Sequence, residues 1–388
     1  MSNIALFIYG INDLKGGGGA ERFFADFFDE YQDSKISQNK LFYIIDKNSV
    51  KKLNEVNKLK SRNNLLNFKI HSNRFKHKLE TLELAKHIFL NNIKIVHIPL
   101  YDPTYIPILK KLNELPKVIR PKIVINIVNC YVAQVLSDKN HQLHKSMCNS
   151  YLPLFKEINV SGYFCWNESF VNYVGKEKVF KNIPKKVYAI NSRFSDVKKF
   201  IPSAAKQNLV VFASRLDEQK HADWYLKAIE IIKSQNKLND WKFILCGTGP
   251  LREELMKQAT EKKLSDVLEF RIEGQMEKLF NVSKIYVSCQ NYDNFPSLSM
   301  SEAMASGNAI VARNVGQTNL FVRSNKNGVL INPDSAEGLA EALIKMISDG
   351  EMVKKMGEES VELMKNVHNV PNFIKQIDNF WNEILTNN

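Results

Sequence analysis

The chain has 388 residues, 44% of them apolar and 24% charged, with a formal net charge of +13. That length exceeds one ordinary core and suits two domains of about 190 residues each, and the composition is that of a soluble globular chain rather than a disordered or fibrous one. The excess charge sits in the first half: residues 1–190 carry 29 Lys/Arg against 16 Asp/Glu, and residues 51–78 carry nine basic residues against Glu55 alone.

The longest apolar run, 123–136, is interrupted by Asn126 and Asn129 and is too short to cross a bilayer. The start, MSNIALFIYG, lacks a basic segment and a long apolar stretch, so no signal peptide is expected. Five cysteines (Cys130, Cys148, Cys165, Cys246, Cys289) are scattered, with no CxxC spacing. They predict reduced thiols in a cytoplasmic protein, not a disulfide frame or a metal site. The basic first half fits an anionic surface or acceptor; nucleic acid has no supporting motif.

Ile4–Tyr9 reads as a buried strand. Gly16-Gly17-Gly18-Gly19-Ala20-Glu21-Arg22 then opens a helix to about Tyr31, a loop whose backbone can approach a ligand closely. It is neither GxGxxG with a distant acid nor a P-loop. Leu41–Ile45 is a second strand. The basic segment 51–78 contains a helix and then a strand at Phe68–His71. Leu79–Asn91 has helical spacing, Ile93–Pro99 is a strand carrying His97, Tyr105–Leu115 a helix, and Lys122–Val128 a strand. Val132–Leu136 begins a loop or helix that holds His141 and His144. A strand ending at Cys165, a helix over Glu168–Val174 and a strand at Val187–Ile190 close this half. The alternation predicts a parallel sheet with helices on both faces.

Asn191–Gln207 is polar, contains Pro202 and reads as a linker. A second series follows, with strands at Leu209–Ser214, Lys242–Cys246, Leu268–Ile272 and Lys284–Ser288 and helices at Trp224–Ser234, Leu251–Lys262 and Glu277–Val282. Next comes the stretch that organises the chain: a strand end, a loop over Gln290–Pro296, a helix over Ser297–Ser306, Gly307 as its C-terminal stop, and a strand at Ala309–Ala312. Gly328–Ile331, a helix over Ala336–Ile347 and an amphipathic tail helix over Pro371–Leu385 complete the reading.

In such a sheet the loops at the carboxyl ends of the strands bind ligands. Arg215 and Lys220, in FASRLDEQKHADW, follow one strand end and could clamp a diphosphate. Gly247-Thr248-Gly249-Pro250 makes a tight turn after the next strand. The start of the Ser297–Ser306 helix offers free amides and partial positive charge to an anion. Glu302 could accept both ribose hydroxyls, and Gly316-Gln317 forms a further strand-end loop. All these features lie at one end of one half.

The second half resembles the donor-binding domain of family 4 retaining glycosyltransferases, through ASRLDEQKHADWYLKAI, FILCGTGPLREEL, LEFRIEGQM, DNFPSLSMSEAMASGNAIVA, VGQT and NGVLINPDSAEGLAEAL, in family order over about 130 residues. The first half resembles it through GGGGAER, KIVHI and Asn191-Ser192. The resemblance implies the GT-B fold: two facing Rossmann-like, doubly wound parallel-sheet domains with a cleft between them. Residues 1–190 would form an acceptor-binding domain, joined by a C-terminal helix (371–388) that crosses back, and residues 191–370 the nucleotide-sugar donor domain.

By the same resemblance, Arg215 and Lys220 match the diphosphate-binding pair and Glu302 the ribose ligand. Gly18 and Gly19 match the glycine loop, and Ile272 and Gly274 the backbone that meets the base. Gly247, Gly249, Phe295, Pro296, Ser297, Leu298 and Gly316 complete the expected donor site. Two departures stand out. The first acid of the family's paired-glutamate motif falls on Asn294, with Asp293 one residue earlier, so either Asp293 reaches the sugar hydroxyls or Asn294 does so without charge. Where many members carry a histidine after the strand that here is Ile123–Val128, this chain has Val128-Asn129.

The implied activity is retaining, metal-independent hexosyl transfer from a nucleotide-diphospho-sugar, UDP favoured, to a glycan or lipid-linked acceptor in surface polysaccharide or glycoconjugate biosynthesis. The nucleotide sugar is a substrate, so no cofactor is expected. Peripheral contact with an anionic membrane through 51–78 would place the protein in the cytoplasm at the inner membrane face. The alternative is a non-catalytic GT-B scaffold or a nucleotide-sugar-binding partner of another transferase.

Overall fold

Short apolar runs, buried almost end to end, build two parallel sheets, as strands covered by helices on both faces must. The computed structural model describes residues 1–11, 19–71, 75–127, 132–166, 168, 170–172, 187–189, 194–291, 293, 295 and 297–386. The chain divides into two units, Met1–Asn191 with Val370–Asn388, and Ser192–Asn369. The expected doubly wound α/β class is what each unit shows.

In the first unit the strands are β1 (Asn3–Phe7), β2 (Lys40–Ile45), β3 (Leu65–Asn67), β4 (Ile93–Ile98), β5 (Lys122–Ile127), β6 (Gly162–Cys165) and β7 (Val187–Ala189), in spatial order β3-β2-β1-β4-β5-β6-β7. Their helices are α1 (Gly19–Asp33), α2 (Lys47–Glu55), α3 (Lys76–Leu90), α4 (Ile106–Asn113), α5 (Val132–Ser137) and α6 (His144–Glu157). The third strand lies earlier than expected. Leu65, Leu66 and Asn67 pair with Tyr43, Ile44 and Ile45, so the ladder ends where Phe68 turns into the core.

Right-handed crossovers decide which face each helix covers. The path β1-β2-β3 steps outward and puts α1 and α2 on one face. The return from β3 to β4 puts α3 on the other, where Leu84 and Ile88 share one core with Leu109 and Leu112 of α4 and Leu154 and Phe155 of α6. The segment after α2 stays with α1: Lys58 pairs with Asp26 at 2.5 Å, and the Lys60 and Ser61 amides donate to Asp29 at 2.7 and 2.8 Å. The basic segment 51–78 is therefore not one surface, as expected from sequence, but is split between the two faces of the sheet.

In the second unit β8 (Leu209–Ala213), β9 (Lys242–Cys246), β10 (Leu268–Arg271), β11 (Ile285–Ser288), β12 (Ala309–Arg313) and β13 (Gly328–Ile331) lie in the order β10-β9-β8-β11-β12-β13. This is the Rossmann order, and its chain direction reverses between β8 and β11. The helices here are α7 (Ala222–Ser234), α8 (Arg252–Glu261), α9 (Met276–Phe280), α10 (Leu298–Ala305), α11 (Ala336–Ile347) and α12 (Gly350–Asn366). Side-chain caps start several of them: Ser297 accepts from the Met300 amide, Ser335 from Gly338 and Asp349 from Met352. The last helix, α13 (Val370–Thr386), belongs to the first unit, against which it buries Phe373, Ile377, Phe380 and Trp381. No helix among the described residues is long and apolar enough to cross a membrane.

Candidate functional site

The loops at the carboxyl ends of β8 and β11 meet at the point where the strand order reverses, the position at which such sheets bind ligands. The β8 loop, 214–220, is built by its own polar side chains. Asp217 caps the short turn Glu218–Lys220 through the Gln219 amide and also receives the Arg215 guanidinium at 2.7 Å. Arg215 is exposed, so this pair leaves its remaining donors in solvent. Lys220 points across the switch point. Its ammonium donates to Gln290 Oε1, in the loop after β11, at 2.5 Å, and the Gln290 amide nitrogen donates in turn to the Asp293 carbonyl. One hydrogen-bonded chain thus joins the two loops. Gln290 carried no signal in the sequence beyond being polar at a strand end.

Gly247 and Gly249, expected to form a tight turn, bring backbone close to this loop. Their φ angles are +148° and +155°, and a Cβ on either would fall on the carbonyl of Ser214 or Leu216. The Leu216 amide donates to the Thr248 carbonyl at 2.8 Å, and the Leu251 amide to the Leu216 carbonyl at 3.1 Å. The turn therefore holds the Arg215 loop from behind. Replacing Gly249 by alanine should cost roughly 2 kcal/mol or more from backbone strain and the displaced loop; a urea midpoint unchanged from the parent would contradict this packing.

After β11, the side chain of Asp293 is buried. Its carboxylate accepts from the Phe295 amide at 3.0 Å and is also held by the Gln317 backbone. Gly316, with φ +53°, leaves the room: a Cβ there would lie 2.5 Å from the Asp293 carboxyl carbon. Burial pushes the Asp293 carboxyl up to about 6, and the backbone donors only partly offset that. Asp293 thus ties the β11 loop to the Gly316-Gln317 loop. Phe295 is also turned inward, its ring buried 5.0 Å from Phe321 and 6.1 Å from His368.

Ser297 then caps α10, whose first residue is Leu298, and Glu302 stands half-buried in its second turn. Glu302 lies within electrostatic reach of Tyr286. Burial above all, with a contribution from this carboxylate, holds the Tyr286 phenol well above its ordinary value. The Tyr286 hydroxyl lies 2.8 Å from Ser299 Oγ and 3.2 Å from the Ala213 carbonyl, so α10 is fastened to the ends of both β8 and β11. Ser306 and Gly307 (φ +73°) end α10 in the left-handed stop expected of this glycine.

At the outer edge, Ile272 and Gly274 follow β10. Ile272 is 68% exposed, and a Cβ at Gly274 would meet nothing within 4 Å, so an open surface lies there. In the first unit Gly19 opens α1. Gly18, Asn294, Pro296, Val128, Asn129 and Cys130 lie outside the described residues. Among the described residues no group of three or more His, Cys, Asp or Glu side chains could hold a metal ion.

Residues 194–362 match the family described as "Glycosyl transferases group 1". The chain is 27% identical over 175 residues to a Campylobacter jejuni GalNAc-alpha-(1->4)-GalNAc-alpha-(1->3)-diNAcBac-PP-undecaprenol alpha-1,4-N-acetyl-D-galactosaminyltransferase, an alignment covering 45% of this chain and 48% of that protein. The chain thus spans about half the length of that curated relative. Among solved structures, S. aureus TarM in complex with Fondaparinux, alpha-GlcNAc-glycerol and UDP has a TM-score of 0.70 and 15% identity, over 98% of this chain and 100% of that one. Sucrose-phosphate synthase from Thermosynechococcus elongatus gives 0.71 and 15%, over 99% of each chain. These two likenesses show the fold, which is GT-B.

Proposed function

We infer that the chain is a retaining, metal-independent glycosyltransferase that binds a nucleotide-diphospho-sugar, with UDP as the favoured nucleotide, at the β8–β11 switch point. The observation that carries this is the convergence of Arg215, Lys220, the capped start of α10 and Glu302 on loops joined by hydrogen bonds. Arg215 and Lys220, with the amides that open α10, neutralise the diphosphate as it leaves. Glu302 accepts the ribose hydroxyls, and the Ile272–Gly274 backbone meets the base. The transition state is oxocarbenium-like, and the departing diphosphate lies beside the attacking acceptor hydroxyl, so no side-chain nucleophile is needed. The acceptor is a glycan or a lipid-linked glycan; the C. jejuni relative's name, which specifies a PP-undecaprenol-linked substrate, supports that class.

Thermal unfolding with a panel of nucleoside diphosphates and nucleotide sugars tests the reading. At about a hundred times its dissociation constant, a ligand bound only by the folded protein adds roughly 2.7 kcal/mol. The expected result is a shift with one nucleotide, lost in Glu302→Ala. No shift with any of them overturns the reading. A shift without transfer or donor hydrolysis would instead favour a nucleotide-sugar-binding scaffold, the reading suggested by Asp293 being held by backbone rather than standing open to a sugar.

A further inference from the structure

We propose that Lys206, with Lys284 beside it, forms a lysine-acylation site that takes its acyl group from an acyl phosphate, in a cleft of the second unit at the sheet end opposite the Arg215–Lys220 loop. The inference stands whether or not the chain transfers a sugar, because neither lysine belongs to the donor site.

The cleft lies between the segment 202–206 and α12, at the amino ends of β11 and β12. Its volume, about 820 Å³, is within the usual range for a small-molecule site. Gly307 and Gly357 let its walls close on each other. A Cβ at Gly357 would press on the Gly307 carbonyl, and one at Gly307 would lie 3.0 Å from Pro202 Cγ and 3.5 Å from Lys206 Cε. The Lys206 stem thus runs over the end of α10. The backbone around it is pinned: the Ser203 amide donates to the Asn281 carbonyl at 2.9 Å and the Gln207 amide to the Val282 carbonyl at 2.7 Å. Lys206 is half-buried, and its amine donates to the Ser283 carbonyl. An ammonium has three hydrogens to place, and here one carbonyl receives it, which favours the free amine.

The surrounding charges point the same way. Lys284, just before β11, is held by Asn208 Oδ1 at 2.5 Å and faces Lys206 as a like charge. From α12, Glu351, Lys354, Glu358, Glu362 and Lys365 line the cleft, and Glu362 is occupied by Lys365 at 3.3 Å. Among the described residues none of these acids is within ion-pair distance of Lys206. Burial first, and Lys284 second, push the Lys206 amine down to about 7. About half of it is then free base at pH 7, against roughly one part in 10³ for an ordinary lysine. A desolvated amine beside a second cation is the activated form of this nucleophile. Its lone pair attacks the acyl carbon; a C–N bond forms, and the C–O bond to phosphate breaks with its electron pair going to the phosphate. The amine gives up one proton to water. Lys284 offers its charge to the departing phosphate, which selects an acyl phosphate among activated acyl donors. The amide product keeps one N–H for the Ser283 carbonyl and no longer carries a charge against Lys284.

Brief treatment of the full chain with acetyl phosphate, followed by peptide mass spectrometry, tests this. At about pH 7.5 Lys206 should label at least ~10-fold faster than Lys257 and Lys355, which are exposed on helices of the same unit. Its labelling rate should level off above about pH 8, whereas an ordinary lysine gains about tenfold per pH unit up to about pH 10. In urea, where the cleft is gone, the three lysines should label alike. Lys284→Gln should slow the labelling of Lys206 and move its midpoint upward. The readout is taken on the parent and on one exchange of a half-buried residue, and it needs neither nucleotide nor sugar, so it is independent of the donor site. The proposal is overturned if Lys206 labels no faster than the two exposed lysines, or if its rate keeps rising to pH 10. It is equally overturned if the advantage survives in urea, or if Lys284→Gln changes neither rate nor midpoint.

Discussion

Lys220→Ala should lower the turnover of glycosyl transfer by ~10²- to 10³-fold, the usual loss when one preorganised donor is removed from charge that develops in a transition state. In the proposed reaction, cleavage of the sugar–phosphate bond places its new charge on the leaving diphosphate, and Lys220 stands at the switch point with its ammonium already oriented by Gln290. Because that orientation is built before substrate binds, the lysine loses little freedom when the charge appears. Arg215→Ala should cost a similar factor by removing a fork of donors that Asp217 occupies at one nitrogen only. Lys220→Arg should recover part of the loss, whereas Lys220→Met should not, so the two together distinguish charge from packing. Neither position is in the core, and thermal midpoints should stay near the parent's. Turnover within a factor of two of the parent in Lys220→Ala would remove Lys220 from the chemistry and with it the diphosphate clamp.

Much of this arrangement was legible in the sequence because parallel strands buried on both faces leave continuous apolar runs, such as LVVFA and KFILC, between helical segments. Once the runs are placed, the residues just after them, Arg215 and Lys220 among them, fall at the ligand-binding ends. What could not be read depends on contacts between loops. Gln290 matters through Lys220, seventy residues earlier. Gly247 and Gly249 were legible as a tight turn, but their packing on the Ser214–Leu216 backbone is something that sequence spacing does not carry. Asp293 was one of two candidates for the sugar hydroxyls, with Asn294, and the sequence carried no sign that its carboxylate accepts from the Phe295 amide and packs on Gly316.

Helix α12 was missed altogether. Its buried face includes Gly357 and Ser360, because it packs backbone-close on Gly307: a Cβ at Gly357 would press on the Gly307 carbonyl. Yet Val353, Met356, Leu363 and Met364 share that buried face at helical spacing, so the apolar period of the helix was present in the sequence. The basic segment 51–78 failed differently. A charge run says nothing about which crossover it lies on, and the two faces of the sheet divide it.

Trp381→Ala should destabilise the first unit by about 3–5 kcal/mol, as large aromatic-to-alanine changes in cores do. Trp381 is fully buried, packs on His97 and Tyr31 with ring centroids 5.8 and 5.9 Å away, and donates its indole N–H to His97 Nδ1 at 3.2 Å. That bond fixes the His97 tautomer and joins the tail helix α13 to β4. One turn earlier Asp378 accepts from the Tyr31 hydroxyl at 2.6 Å and the Gln38 amide at 2.8 Å, so the helix is anchored by polar as well as apolar contacts. Burial lowers His97 to about 3, and its Nε2 has no hydrogen-bond partner among the described residues, so a proton there would be a buried charge with nothing to meet it. The unfolded chain takes up that proton near pH 6.5 and the folded protein does not. Stability is therefore complete above pH 6.5 and falls as the pH drops toward 3, by roughly 2 kcal/mol between pH 7 and pH 5 from this group. His368 in the second unit, lowered to about 4 mainly by burial, adds a slope of the same sign, so the informative quantity is a difference between variants. In His97→Gln, which cannot titrate, the fall in urea stability from pH 7 to pH 5 should shrink by about that amount. Trp381→Phe should keep the parent's slope while losing the N–H bond. Equal slopes in the parent and His97→Gln would mean that His97 is solvated in the folded protein and that α13 does not seal β4.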